Sequence, residues 1–127
     1  MAAEISVTGL DHIVLRCADV EVTLRWYTDL LGLAPERVDE WRRGDAPFPS
    51  VRLDAGTIID LFGQDPEGEG HLDHVCIEVA PTDLGQVAAS GRFDVLNGPV
   101  PRWGARGDGT SLYVRDPDGV IVELRHY

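Results

Sequence analysis

At 127 residues the chain is long enough for one domain with its own core, and a content of 43% hydrophobic and 26% charged residues is that of a globular protein. Eleven basic residues, every one an arginine, stand against 22 acidic ones, and the net charge of −11 argues against nucleic acid or an anionic membrane as partner. No apolar run approaches the roughly 18 residues of a membrane span, and Met1 to Gly9 carries acid but no long apolar stretch, so a cytoplasmic protein is expected.

His12 to Cys17 alternates polar and apolar residues, the pattern of a half-buried strand. Asp19 caps a following helix, with Val20, Leu24, Tyr27 and Leu31 at helical spacing and Gly32 as its C-terminal stop. Arg37 to Arg43, around Trp41, reads as a polar strand, and Gly44 to Pro49 as a loop. Ser50 to Leu53 and Thr57 to Phe62 form a hairpin across Asp54-Ala55-Gly56, and Gln64 to Gly70 is a polar linker. Leu72 to Ala80 is a strand, Pro81 to Ser90 a short helix ended by Gly91, and Arg92 to Leu96 a weak strand. Asn97 to Gly109, rich in Gly, Pro and Arg around Trp103, reads as a second loop; it lacks the glycine spacing and lysine of a phosphate loop. Ser111 to Val114 and Val120 to Arg125 close a hairpin over Asp116-Pro117-Asp118-Gly119. Cys17 and Cys76 lie inside apolar alternating runs and are expected as buried, reduced thiols.

This order of elements occurs twice, with a period of 62 to 63 residues. His12 answers His74, and Asp60 answers Glu123. Two imidazoles and two carboxylates at matching places of a duplicated fold read as one site for a divalent transition metal, with Ni, Co, Zn, Mn and Fe all compatible with such donors. Alternation puts His12 with Val14 and Arg16 on one face of its strand, His74 with Cys76 and Glu78, Asp60 with Ile58 and Phe62, and Glu123 with Ile121 and Arg125. The opposite faces, Ile59 with Leu61 and Val122 with Leu124, are apolar and suit packing under helices. Glu123 is costly to bury unpaired, which calls for a metal or an arginine partner. His71 and His126 have no equivalents in the repeat and read as surface residues. Ser50-Val51-Arg52-Leu53 aligns with Ser111-Leu112-Tyr113-Val114, which marks Arg52 and Tyr113 as candidate substrate-binding residues. Trp41, Phe48, Phe62 and Trp103 are candidates either for an apolar pocket wall, with Trp103 a substrate contact, or for ordinary packing.

The Leu-Asp-His at the first strand, the helix ending Leu30-Leu31-Gly32-Leu33, the second-half histidine and Asp116-Pro117-Asp118-Gly119 followed by Glu123-Leu124 together resemble the vicinal oxygen chelate superfamily, from about Thr8 to Tyr127. That group includes glyoxalase I, fosfomycin and bleomycin resistance proteins, extradiol dioxygenases and methylmalonyl-CoA epimerase. The resemblance implies an α+β fold of two βαβββ modules, about 8–63 and 71–127, forming a cupped eight-stranded sheet with a metal-binding cleft. It implies metal ligands at His12, Asp60, His74 and Glu123. Asp60 stands where the family commonly carries Glu or Gln; one methylene shorter, it either ligates directly, reaches the metal through water, or orients a histidine. It also implies a homodimer acting on a small-molecule substrate.

Such a site suits a glyoxalase-like lyase or isomerase acting on an oxygen-chelating carbonyl compound or its thiol adduct, with Glu123 or Asp60 moving a proton. The same atoms with three ligands form the two-histidine, one-carboxylate triad of an Fe(II) extradiol-type dioxygenase. A non-catalytic drug-binding resistance protein is the third reading, and the complete ligand set argues against it.

Overall fold

The computed structural model describes residues 4–115, 117 and 119–127. The chain divides into two compact units: His12–Asp73, and His74–Tyr127 joined by the segment ending at Asp11. The division falls inside the first strand, β1 (Val7–Cys17).

In the unit His12–Asp73, β1 leads into α1 (Val20–Arg25), β2 (Ala34–Glu36), α2 (Val38–Arg42), β3 (Ser50–Asp54) and β4 (Thr57–Gly63). The strand order is β2-β3-β4-β1, with β4 antiparallel to β3 and parallel to β1. Asp19 caps α1 as expected, its side chain accepting from Val22 N at 3.2 Å. Beyond Arg25 the helix widens into a π turn over Trp26–Leu30, where Thr28 Oγ1 donates to the Leu24 carbonyl at 3.0 Å. Gly32, at φ 71°, closes it in the left-handed conformation: Gly32 N donates to Thr28 O, the single bond of an αL stop, and Leu33 N donates to Tyr27 O. Val20, Leu24, Cys17, Val51 and Leu61 form the core here, with Ile59, Tyr27, Val38 and Trp41 packed against it.

The second unit runs β5 (Leu72–Val79), α3 (Leu84–Ala89), β6 (Asp94–Gly104), β7 (Gly107–Arg115) and β8 (Ile121–His126), in the order β5-β8-β7-β6. Asp83 caps α3 by accepting from Gln86 N. Val79, Leu84, Val87, Leu112, Val114 and Leu124 make the core, flanked by Val122. Each unit therefore has the same βαβββ order, and the fold is α+β with eight strands of mixed direction. The parallel ladders also share one register: Val14 lies beside Asp60 in β1–β4, and Cys76 beside Glu123 in β5–β8.

Three expected elements differ. Arg37 to Arg43 is not a strand: after the short β2, Arg37 adopts φ 57°, ψ 24°, and α2 follows, with Val38 and Trp41 one turn apart on the core. Asn97 to Gly109 is not a loop: β6 and β7 pair almost throughout and turn at Ala105-Arg106. Prolines 99 and 101 are tolerated because β6 ladders only to β7 within its unit. The α3 helix begins at Leu84, not Pro81. Gly44 to Pro49 contains no regular element, as expected, and of the turn over Asp116-Pro117-Asp118-Gly119, Asp116 and Asp118 lie outside the described residues. No helix among the described residues is long and apolar enough to cross a membrane.

Candidate metal centre

Each unit builds one histidine–carboxylate–serine group. In His12–Asp73, β1 carries His12 and β4 carries Asp60, and both are buried. His12 Nε2 lies 3.8 Å from Asp60 Oδ2, and Ser50 on β3 donates its hydroxyl to Asp60 Oδ1 at 2.5 Å. In the other unit, His74 Nε2 lies 2.9 Å from Glu123 Oε1, and Ser111 on β7 donates to Glu123 Oε2 at 2.6 Å. Asp60 and Glu123 are each 1% exposed, and both serines are fully buried. Each carboxylate thus has one oxygen held by a serine and the other turned toward a histidine.

Two atoms bound to one metal through bonds of about 2.0–2.2 Å stand about 3 Å apart. The His74–Glu123 separation has that spacing, whereas the His12–Asp60 separation is wider. Imidazole nitrogen with carboxylate oxygen is a donor set for divalent first-row metals. The residues present therefore fit a metal, and the shorter Asp60 arm is the looser of the two.

The surroundings of Glu123 are charged. Arg125, fully buried, donates through Nη1 to Glu123 Oε2 at 3.4 Å and through Nη2 to the carbonyls of Arg102 and Gly107. Its guanidinium also lies 4.6 Å from the Tyr127 ring centre and 4.0 Å from Asp11 Oδ2. Asp11 accepts from Ala105 N and from the Tyr127 hydroxyl, which ties the start of β1 to the β6–β7 turn and to the chain's last residue. A Cβ on Gly104 would stand 2.5 Å from Arg125 Cζ, so glycine there is what lets the arginine in. Arg125 is the arginine partner that the burial of Glu123 calls for. Near Asp60, Arg37 lays its guanidinium 4.9 Å from the Phe48 ring centre; burial lowers its pKa and the charge of Asp60 works in the other direction.

A family model described as the Glyoxalase/Bleomycin resistance protein/Dioxygenase superfamily matches residues 9–124. The chain belongs to the glyoxalase/bleomycin resistance/dioxygenase superfamily. Within sequence relatives, it is 32% identical to a glyoxalase domain-containing protein, RDO1, of Mycosarcoma maydis, over 98% of this chain and 71% of that protein. It is 28% identical to virulence protein STM3117 of Salmonella typhimurium, over 95% of this chain and 85% of that one. Among solved structures, methylmalonyl-CoA epimerase from Mycobacterium tuberculosis matches with a TM-score of 0.64 at 23% identity, covering 99% of this chain and 92% of that one. The Streptomyces coelicolor methylmalonyl-CoA epimerase, solved with 2-nitronate-propionyl-CoA, matches at 0.62 and 20%, over 95% and 98%.

The superfamily fold does not draw every candidate residue to these two groups. Arg52 forks onto Glu36 across the β2–β3 pair, with Nε–Oε1 at 2.5 Å and Nη2–Oε2 at 3.0 Å, and its Nη1 donates to the carbonyls of Asp54 and Ala55. Nor does it correspond to Tyr113 in the ladder: Ser50 lies opposite Asp60, whereas Tyr113 lies opposite Glu123. Tyr113 does join its group, its ring edge-on to His74 at 5.7 Å and the Arg102 guanidinium 5.7 Å from its ring centre. Burial, then the charge of Glu123, pushes the Tyr113 hydroxyl up to about 12, so it stays a neutral hydrogen-bond donor. Trp103 is half-buried on β6 opposite Asp108. Trp41 packs on the core, and Phe48 meets Phe62 edge-on at 6.2 Å. His71 is exposed, but its Nδ1 lies 3.1 Å from the Arg16 carbonyl; His126 is half-buried rather than a surface residue. Cys17 and Cys76 are each buried as a reduced thiol, as expected.

The residues that sequence reasoning passed over are Ser50, Ser111, Arg125 and Arg37. The signal for the serines was present: each sits two residues before Arg52 or Tyr113, on the same strand face.

Proposed function

We propose that His12, Asp60, His74 and Glu123 are ligands of a divalent transition metal. The protein is then a metal-dependent lyase or isomerase of the glyoxalase type. Its substrate is a small carbonyl compound with two adjacent oxygens, or the thiol adduct of one. The observation that carries this reading is the second buried carboxylate. With Asp60 and Glu123 both presenting an oxygen toward a histidine, one can remain a ligand while the other moves a proton.

When bound, the metal supplies Lewis-acid stabilisation of negative charge on the substrate oxygens. The chain's own part is proton transfer and orientation. A carboxylate, Asp60 or Glu123, takes the proton from the carbon next to the carbonyl and returns it to the neighbouring carbon. Tyr113, neutral and packed against His74, offers a hydroxyl to a substrate oxygen. The same fold carries methylmalonyl-CoA epimerases, which keeps isomerase chemistry within its reach.

The test loads metal-free protein in turn with Ni, Co, Zn, Mn and Fe(II) and presents an α-oxoaldehyde with a thiol in deuterated water. Consumption of the hemithioacetal, with deuterium appearing beside the carbonyl, is expected for at least one metal. Oxygen uptake with a catechol would replace this reading by the dioxygenase, and tight drug binding by metal-free protein would replace it by the sequestration protein.

A further inference from the structure

The serine contacts deepen this reading and rest on it. Ser50 and Ser111 are fully buried, so no solvent can take the place of their hydroxyls. Their hydrogen bonds to Asp60 and Glu123, at 2.5 and 2.6 Å, have the length of hydroxyl donors on ionised carboxylates. A carboxylate free at both oxygens can swing, or ligate through both. One pinned at the distal oxygen offers a single oxygen in a single direction.

The two serines do not occupy the same ladder position. Ser50 lies directly opposite Asp60 on the neighbouring strand. Ser111 lies opposite Arg125, two residues along from Tyr113, which is the residue opposite Glu123. Directly opposed residues have Cβ atoms about 4.5–5.5 Å apart, and diagonal ones about 7–8 Å. The short arm of Asp60 meets the near serine, and the longer arm of Glu123 meets the diagonal one. The departure from symmetry in the carboxylates is matched by a departure in register.

We infer that Ser50 and Ser111 are positioning residues of the metal site, each fixing its carboxylate for one-oxygen ligation, and that the Asp at 60 and the Glu at 123 are set by where their serines stand. The experiment titrates Co(II) into metal-free full-length chain. Ser50→Ala and Ser111→Ala are expected to weaken binding by about 10–100-fold, the usual loss when a group that orients a ligand is removed. Ser50→Thr and Ser111→Thr, which keep the hydroxyl, restore it to within a few fold, with circular dichroism unchanged throughout. Glu123→Asp withdraws the arm from its serine, so adding Ser111→Ala to it costs nothing more. Alanine variants that fold and bind as the wild type does, or E123D and S111A losses that simply add, overturn the inference. Should the alanine variants fail to fold, infrared carboxylate bands of the wild type decide: splitting typical of one-oxygen ligation on Co(II) loading supports it, and two-oxygen ligation overturns it. A wild-type chain that takes up no divalent metal defeats the functional reading as well, and is seen before any variant is made.

Discussion

Tyr127 donates to Asp11 Oδ1, and burial, reinforced by that hydrogen bond, pushes its hydroxyl up to about 12. Tyr113 is raised to about the same value by burial and by Glu123. In the unfolded chain a tyrosine ionises near pH 10. A folded-state value above the unfolded one means the native state holds the proton more tightly, so this stability is complete below pH 10 and is lost as pH rises toward 12. The thermal midpoint is therefore expected to fall more steeply between pH 10 and 12 in the wild type than in Tyr127→Phe; parallel slopes would contradict the assignment. Much of the site was legible at this scale. His12, His74, Asp60 and Glu123 stand out because the repeat and strand alternation select them together. Ser50 and Ser111 share a strand face with Arg52 and Tyr113, but a serine in a strand carries no charge or bulk to single it out. For Arg52, alternation gives a face but not the partner, Glu36, that it meets there.

Both helix caps are local chemistry that the sequence displays plainly. Asp19 and Asp83 each satisfy an amide in the first turn of a helix of only six residues. Asp19→Ala and Asp83→Ala should each cost about 1 kcal/mol in denaturant unfolding. The β6–β7 hairpin makes a sharper demand. At Gly104 a methyl group would press on the buried Arg125 and Asp11, neither of which can retreat into solvent. Gly104→Ala is expected to destabilise by about 1–3 kcal/mol, and Gly107→Ala, with open space around it, to suffer only the penalty of its positive φ. Strands and helices set by strict alternation or a cap were legible. The Arg37 to Arg43 segment was not, because a helix of five residues shows only one turn of periodicity and its Val38–Trp41 contact is tertiary. The Asn97 to Gly109 hairpin was not, because glycine and proline read as loop until the partner strand β7 is known.

At the scale of the whole chain, duplication is the organising fact: two units with one strand order, one parallel register and one histidine–carboxylate–serine group apiece. A ligand that binds only the folded chain stabilises it, by about 2.7 kcal/mol at a hundred times its Kd. Addition of the cognate metal should accordingly raise the thermal midpoint, and a chelator should reverse the rise; a midpoint indifferent to every metal would speak against the site. The most direct measurement is the metal content, by mass spectrometry, of chain purified without a histidine tag, alongside His12→Ala and His74→Ala. One equivalent of a divalent transition metal per site in the wild type, lost in both variants, is the predicted result. Metal retained in full by either variant, or a wild-type chain that holds none after exposure to Ni, Co, Zn, Mn and Fe(II), would contradict the proposed set of metal ligands.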